Sequence, residues 1–166
     1  MTLGMVILGR QGSGKGTQAV RIAERFQIVH ISTGDMLRSA VQEGTELGLK
    51  AKSIMDAGGL VTDDVVNGIV AERLAKDDVQ NSGFLLDGYP RTVGQATQLK
   101  KLVGESLKLA INLDVSIEEV TQRMMSRGRE DDTPDAIAKR LELYEAETAP
   151  LIEWFESENI LCVIDG

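Results

Sequence analysis

Cysteine, histidine and aromatic residues are scarce in this 166-residue sequence, and each scarcity limits the kinds of cross-link, site or core that the protein can contain. Cys162 is the only cysteine, which excludes an intramolecular disulfide and a cysteine-rich zinc site. Because it lies in an apolar run, we expect a small buried core residue. Aromatic residues make up 4% of the chain, so a core must be mainly aliphatic. His30, the single histidine, ends an apolar run, and we expect a core residue with satisfied hydrogen bonds.

Positive charge and long apolar stretches are also in short supply. The formal net charge of −8 argues against general nucleic-acid binding, which needs a broad basic face. No hydrophobic run approaches the roughly 18–20 residues of a membrane span. The N-terminus lacks the basic and apolar segments of a secretion signal. We therefore expect a reduced, cytoplasmic protein with no nucleic-acid or membrane partner, folded as one compact domain over residues 1–166.

Short apolar runs alternate with helical patterns along the chain. This alternation predicts an α/β protein, a parallel five-stranded sheet with helices on both faces. The buried strands are predicted at 3–8, 28–31, 84–86, 109–113 and 160–164. The helices are predicted at 15–26, 35–43, 63–76, 93–103, 117–127 and 134–156. Two segments interrupt the alternation: 32–61 holds two helical stretches without a strand, and 126–133 is a short charged connection between helices.

The most informative motif directly follows the first predicted strand, where residues 9–17 read Gly-Arg-Gln-Gly-Ser-Gly-Lys-Gly-Thr. A strand followed by a glycine-rich turn and a helix surrounds phosphate with backbone N–H groups, and Lys15 adds a full charge. The general pattern places Ser or Thr directly after the lysine, to bind Mg²⁺. Here Gly16 stands there and Thr17 follows, so we expect the metal to be held mainly by phosphates and water.

Polar residues follow the second and third predicted strands, whose carboxyl ends should open onto one cleft. Thr33 and Arg38 follow the second strand, and an arginine fork matches a phosphate, although a lone arginine is more often a surface charge. Asp87 follows the third strand, where an acidic residue can face Mg²⁺ directly or through water. A cap or turn role for Asp87 is the alternative. The turn at Pro90 directs Arg91 toward the same cleft.

Four arginines flank the short charged connection in a chain of net negative charge: Arg123, Arg127, Arg129 and Arg140. Pairing with the neighbouring Glu130, Asp131 and Asp132 is the simpler explanation. Surface ion pairs contribute only about 0–1 kcal/mol each, which accounts poorly for such clustering. We therefore favour a phosphate-binding role for the arginines.

Taken in order, these residues resemble those of the adenylate kinases, the nucleoside monophosphate kinases that interconvert ATP and AMP with two ADP. The likeness runs over nearly all 166 residues, in the segments 9–18, 30–38, 58–62, 83–91 with Gln95, and 123–140. It implies a P-loop NTPase-like fold and a monomer. It also implies that 32–61 is a helical insertion that binds the nucleoside monophosphate and that 126–133 is a short lid.

The resemblance also implies a role for each matching residue. The ATP phosphates would be held by Gly12, Ser13, Gly14, Lys15, Gly16 and Thr17, with Arg123 over the adenine. The AMP site would comprise Thr33, Arg38, the backbone of Val61, Gly88, Arg91 and Gln95. Arg127, Arg129 and Arg140 would gather round the phosphates, positioned by Asp131 and Asp132. Asp87 would orient water-bound Mg²⁺, the implied cofactor.

A few positions bear on specificity and on differences from the family. Related uridylate and cytidylate kinases usually have Ser-Ala-Gly-Glu at 32–35 and asparagine at 92, so Ser-Thr-Gly-Asp and Thr92 favour AMP. The short lid lacks zinc cysteines, so no zinc is expected. Thr62 stands where proline is common, which would loosen the insertion slightly. Relatives continue into a final helix beyond Gly166, and its absence would affect stability and ATP affinity.

Two alternatives stay open from the sequence. One is a kinase of the UMP/CMP type, which acceptor comparison would separate. The other is an adenine-nucleotide-binding module without turnover, against which the complete set of arginines argues.

Overall fold

The computed structural model describes residues 2–56, 61–128 and 132–166. Its five strands are β1 (Gly4–Gly9), β2 (Val29–Ser32), β3 (Phe84–Asp87), β4 (Leu107–Asp114) and β5 (Leu161–Asp165). All neighbours are parallel, in the order β2–β3–β1–β4–β5. The predicted α/β fold with a parallel five-stranded sheet is confirmed.

Eight α-helices connect these strands in the described parts of the chain. They are α1 (Lys15–Phe26), α2 (Thr33–Glu43), α3 (Glu46–Asp56), α4 (Asp63–Leu74), α5 (Asp77–Ser82), α6 (Val93–Val103), α7 (Ile117–Arg127) and α8 (Pro134–Ser157). A short 3₁₀ turn spans Gly104–Ser106. Among the described residues, no helix combines the length and apolarity needed to cross a bilayer.

Local sequence signals set several helix ends. The Ser116 hydroxyl accepts a hydrogen bond from the Glu119 N–H at 3.2 Å, and Pro134 lies in the first turn of α8, both as predicted. Ser32 caps α2 in the same way, so that helix begins two residues before the predicted start. Helix α5 was not predicted, because it is short and polar and buries only Val79.

The strand register brings Asp87 close to residues 9–17, which we call the phosphate loop, at the carboxyl end of the sheet. Central strand β1 pairs with β3 so that Ile7 lies opposite Asp87, and β2 pairs with β3 so that Ser32 does the same. All six residues of β1 are buried. Because parallel strands share a direction, the loops that follow β1, β2 and β3 emerge side by side at their carboxyl ends.

Strand β5 is less buried than the sequence predicts. It pairs with β4 at the end of the sheet, and Val163 and Ile164 are 56% and 45% exposed. Cys162 is half-buried, so the prediction of a buried core cysteine is wrong. The error has a physical reason: an apolar run has the same composition whether its strand lies inside the sheet or at its edge.

Helices α2 and α3 approach each other unusually closely. A Cβ built on Gly48 of α3 would lie 2.1 Å from the carbonyl oxygen of Ala40 in α2. No side chain can fit there without separating the helices. These two helices occupy the predicted insertion 32–61 as far as Asp56, and residues 57–60 lie outside the described residues.

We expect Gly48→Ala to lower the free energy of unfolding by about 1–3 kcal/mol, because the added methyl group overpacks the α2–α3 contact. Urea denaturation provides the measurement. The matched control is Gly94→Ala in α6, where the nearest atom to an added Cβ is 3.8 Å away. That change should be neutral or stabilise by about 0.4–1 kcal/mol. Equal stability of the two variants would contradict the close packing.

Candidate active site

The loop between β1 and α1 has a backbone that only glycine adopts readily. Gly12 and Gly14 both have a φ of 86°, in the left-handed region. A Cβ on Gly12 would also lie 3.1 Å from the Val120 carbonyl oxygen of α7. Helix α1 begins at Lys15, directly after Gly14. The first N–H groups of a helix have no acceptor within it, so this loop can bind an anion such as phosphate.

Asp87 meets basic side chains from two neighbouring elements at the end of β3. One carboxylate oxygen, Oδ1, accepts a hydrogen bond from Lys15 Nζ, and the other, Oδ2, lies 3.4 Å from His30 Nε2. The Asp87 side chain is 8% exposed. The structure therefore brings together two residues that the sequence predicted for one site, Lys15 and Asp87.

His30 was expected to be a satisfied core residue, but its side chain is 25% exposed and faces Asp87. The prediction of a core position is wrong, although the contact with Asp87 gives the ring a hydrogen-bond partner. No signal in the sequence identified Asp87 as its partner, because the two residues are 57 positions apart and only the pairing of β2 with β3 joins them.

The surroundings of Asp87 fit a magnesium ion held largely by a nucleotide. The carboxylate is buried at the start of α1, and a Cβ on Gly16 would lie 3.9 Å from its Oδ2. The described residues contain no cluster of three or more His, Cys, Asp or Glu side chains that could hold a metal. Mg²⁺ commonly keeps several waters and takes one or two carboxylates together with substrate phosphates, which one acidic residue beside a phosphate loop allows.

Gln95 holds the loop that follows β3. Its side-chain oxygen accepts a hydrogen bond from the Arg91 N–H at 2.7 Å, and its amide nitrogen donates to Asp63 at 2.8 Å. The side chain of Arg91 donates from Nε to the Gly88 carbonyl oxygen at 3.0 Å. The buried Gln95 therefore fixes the backbone that carries Arg91, a positioning contact that sequence reasoning missed.

Thr33 lies against the same loop, whereas Arg38 does not. The Thr33 hydroxyl donates to the Asp87 carbonyl oxygen at 3.3 Å. Arg38 is paired with Asp35 instead, and both side chains are about 70% exposed. Val61 is partly buried against the main apolar core. The structure thus brings Thr33 to the loop and leaves Arg38 on the surface of α2.

Two of the four predicted arginines share one buried carboxylate. Arg127 donates to Asp132 at 3.0 and 2.9 Å, and Arg140 donates to it at 3.1 Å. The Asp132 side chain is fully buried. Arg123 donates to the Ser13 carbonyl oxygen at 3.2 Å, so it contacts the phosphate loop. Arg129 and Asp131 lie outside the described residues.

A cavity of about 470 Å³ joins these elements. Its walls come from the end of β1, the phosphate loop, the loop after β3, and α8, and its cations are Lys15, Arg91 and Arg140. Tyr144 of α8 also lines it, and burial raises the pKa of this phenol to about 12. Tyr144 is therefore uncharged at neutral pH. The three cations outnumber the one acidic residue of the lining, Glu147, so the lining carries a net positive charge suited to phosphate.

Fold and site together define a class of protein. In this chain a central parallel strand leads into a glycine-rich loop with its lysine, and a neighbouring strand ends in an acidic residue. P-loop nucleotide-dependent phosphotransfer proteins have this arrangement. The loop geometry and the Lys15–Asp87 contact place this chain in that class.

Comparison with known proteins identifies the family. The family model for adenylate kinase matches residues 7–160. The chain is 47% identical to an adenylate kinase of Stenotrophomonas maltophilia (strain K279a), over 98% of this chain and 90% of that one. It is 49% identical to an adenylate kinase of Oenococcus oeni (strain ATCC BAA-331 / PSU-1), over 100% of this chain and 90% of that one. The chain belongs to the adenylate kinase family, the ATP:AMP phosphotransferases, which confirms the resemblance seen in the sequence.

We expect Asp132→Asn to reduce both turnover and stability, because the buried carboxylate holds Arg127 and Arg140 by hydrogen bonds to charged groups. Losing its charge should lower the free energy of unfolding by about 1–3 kcal/mol. The rate of ADP formation and a urea titration would be measured together. The control is Asp78→Asn, which affects a surface pair with Arg73. If both variants kept the parent rate, Asp132 would have no part in placing the arginines.

Proposed function

We propose that this cleft transfers the γ-phosphoryl group of ATP directly to the phosphate of AMP, giving two ADP, with Mg²⁺ as cofactor. One observation carries the proposal. Three cations from three separate elements line a single cavity: Lys15 from the phosphate loop, Arg91 from the loop after β3, and Arg140 from α8. A donor phosphate held at Lys15 would therefore face an acceptor phosphate held at the arginines.

The donor side is formed by the phosphate loop and α7. The ATP phosphates bind the backbone of Gly12, Ser13, Gly14, Gly16 and Thr17 together with Lys15. Arg123 lies over the adenine and Arg127 reaches the phosphates. The contact between Arg123 and the Ser13 carbonyl oxygen supports this arrangement, since it ties α7 to the loop.

The acceptor side is formed around the loop after β3. AMP binds among Thr33, Arg38, Val61, Gly88, Arg91 and Gln95, with Arg129 and Arg140 on its phosphate. Arg38 must exchange Asp35 for that phosphate. Because the Arg38–Asp35 pair is exposed, it contributes only about 0–1 kcal/mol and is easily exchanged for a phosphate contact.

The reaction needs little covalent chemistry from the protein. The AMP phosphate is already an anion and requires no general base, so no protein nucleophile or phosphoenzyme is involved. Lys15 and the arginines place the two phosphates in line and stabilise the charge that spreads over the transferring group. Asp87, beside Lys15 and the start of α1, is the residue that would hold Mg²⁺ through water. When bound, Mg²⁺ supplies positive charge to the phosphate oxygens.

Water is the competing acceptor for the phosphoryl group. We infer that the insertion 32–61 and the short lid 126–133 close over the cleft before transfer and exclude it. The contacts of Asp132 with Arg127 and Arg140 support a link between the lid and the cleft, since they join two residues of the lid segment to α8.

The proposal is tested by measuring ADP formation from ATP, AMP and Mg²⁺ with the 166-residue chain. We expect two ADP for each ATP consumed and very slow ATP hydrolysis when AMP is omitted, because the transferring groups are aligned only in the closed cleft, from which water is excluded. UMP and CMP serve as matched alternative acceptors and should react much more slowly. Faster transfer to UMP or CMP would overturn the AMP assignment. Rapid hydrolysis without AMP would contradict closure before transfer.

A further inference from the structure

Arg10 lies in the phosphate loop, yet its side chain joins that loop to two other elements. Its Nε donates to Glu145 Oε1 of α8 at 2.8 Å, and Nη2 donates to the same oxygen at 2.5 Å. Its Nη1 donates to the Val115 carbonyl oxygen at 2.8 Å and to Asp114 at 3.2 Å, both at the end of β4. We call these contacts the Arg10 bridge.

The Arg10 bridge joins a largely buried arginine to two exposed carboxylates, since the side chains of Asp114 and Glu145 are 59% and 44% exposed. The Arg10 side chain is only 18% exposed, and its guanidinium carbon lies 5.7 Å from the centre of the Tyr144 ring, within the range of a cation–π contact. All three guanidinium nitrogens donate to protein acceptors. Such a planar, forked group is held in one orientation, which a flexible lysine would not match.

The elements that Arg10 connects line the same cavity. The phosphate loop contributes Gln11 and Lys15 to its wall. Helix α8 contributes Arg140, Tyr144 and Thr148, which are four residues apart and share one helix face. Glu145 directly follows Tyr144 in that helix. The bridge therefore limits how far the wall carrying Arg140 can move from the wall carrying Lys15.

We propose that Arg10 is a positioning residue for phosphoryl transfer, which fixes the separation of Lys15 and Arg140 by joining the phosphate loop to α8. This inference rests on the proposed function, in which both cations act on the phosphates. Transfer depends steeply on that separation, since a misplacement of about 1 Å can cost about 100-fold in rate. Arg10 acts through Arg140 and makes no contact with the nucleotides.

The first test is Arg10→Ala, with kcat and the KM for each nucleotide measured separately. We expect kcat to fall about tenfold or more while both KM values change little, because placement is lost and the binding groups remain. Arg10→Lys should not restore the rate, because it lacks the fork. The matched control is Arg73→Ala, which removes an arginine fork to Asp78 outside the cleft and should keep the parent kcat. A raised KM for ATP with unchanged kcat would overturn the proposal.

The decisive test combines Arg10→Ala with Arg140→Ala. If Arg10 acts by placing Arg140, the double variant should be no slower than Arg140→Ala alone. Multiplied effects would mean that Arg10 acts independently, and the proposal would be wrong. The single Arg140→Ala variant distinguishes failure of the proposed function from failure of the Arg10 proposal. If this variant kept the parent rate, Arg140 would have no part in the proposed function, whatever the effect of Arg10.

A milder variant keeps the test usable if Arg10→Ala folds poorly. Glu145→Gln retains the shape and a hydrogen-bond acceptor but loses the charge at the α8 end of the bridge. We expect it to lower kcat in the parent and to have little effect in the Arg140→Ala background. Circular dichroism and thermal melting would establish that each variant is folded. If either variant, Glu145→Gln or Arg10→Ala, is folded and keeps the parent kcat, that result would contradict the positioning role of the Arg10 bridge.

Discussion

The pairing of β1 with β3 is the constraint on which the site depends. It sets the phosphate loop beside Asp87, so that Lys15 from the start of α1 reaches a buried carboxylate from the neighbouring strand. The pairing of β3 with β2 then adds His30 and Thr33 to the same edge. A shift of one residue in the register of β1 with β3 would turn Asp87 to the other face of the sheet and leave Lys15 without this partner.

Several of the cations proposed to bind phosphate are held by carboxylates in this structure. Asp87 binds Lys15, Asp132 binds Arg127 and Arg140, and Asp35 binds Arg38. These pairs reconcile a formal net charge of −8 with the polyphosphate-binding cleft that we propose. The pairs differ in burial, and burial determines how readily a phosphate can replace the carboxylate in each pair. The exposed Asp35 pair costs little to break, whereas buried Asp132 keeps its arginines in place.

The fold could be predicted well from the sequence because its signals are local. Apolar runs, caps such as Ser116 and the glycines of the phosphate loop each act within a few residues, and together they gave the five strands and the long helices. The same local reasoning failed where burial depends on position in the sheet. The partial exposure of Cys162 in β5 is one example, and short polar α5 is another.

The site could be predicted only in part, for a related reason. Lys15, Asp87, Arg91 and Arg140 belong to motifs, and the structure brings them close together around the cleft. The contacts that hold them could not be predicted, because they join residues far apart in sequence. Gln95 with Asp63, His30 with Asp87, and Arg10 with Glu145 are such pairs, 32, 57 and 135 positions apart. Only the packed structure determines which distant side chains meet.

The most direct measurement is a crystal structure with a non-hydrolysable ATP analogue and AMP bound together. We predict that the terminal phosphate of the analogue lies at Lys15, with the AMP phosphate facing it in line between Arg91 and Arg140. A different result is physically possible, because a second cavity of about 550 Å³ lies between α2 and α4, lined by His30, Glu43 and Lys76 among others. AMP bound in that cavity, or an AMP phosphate turned away from Lys15, would contradict direct transfer within a single cleft.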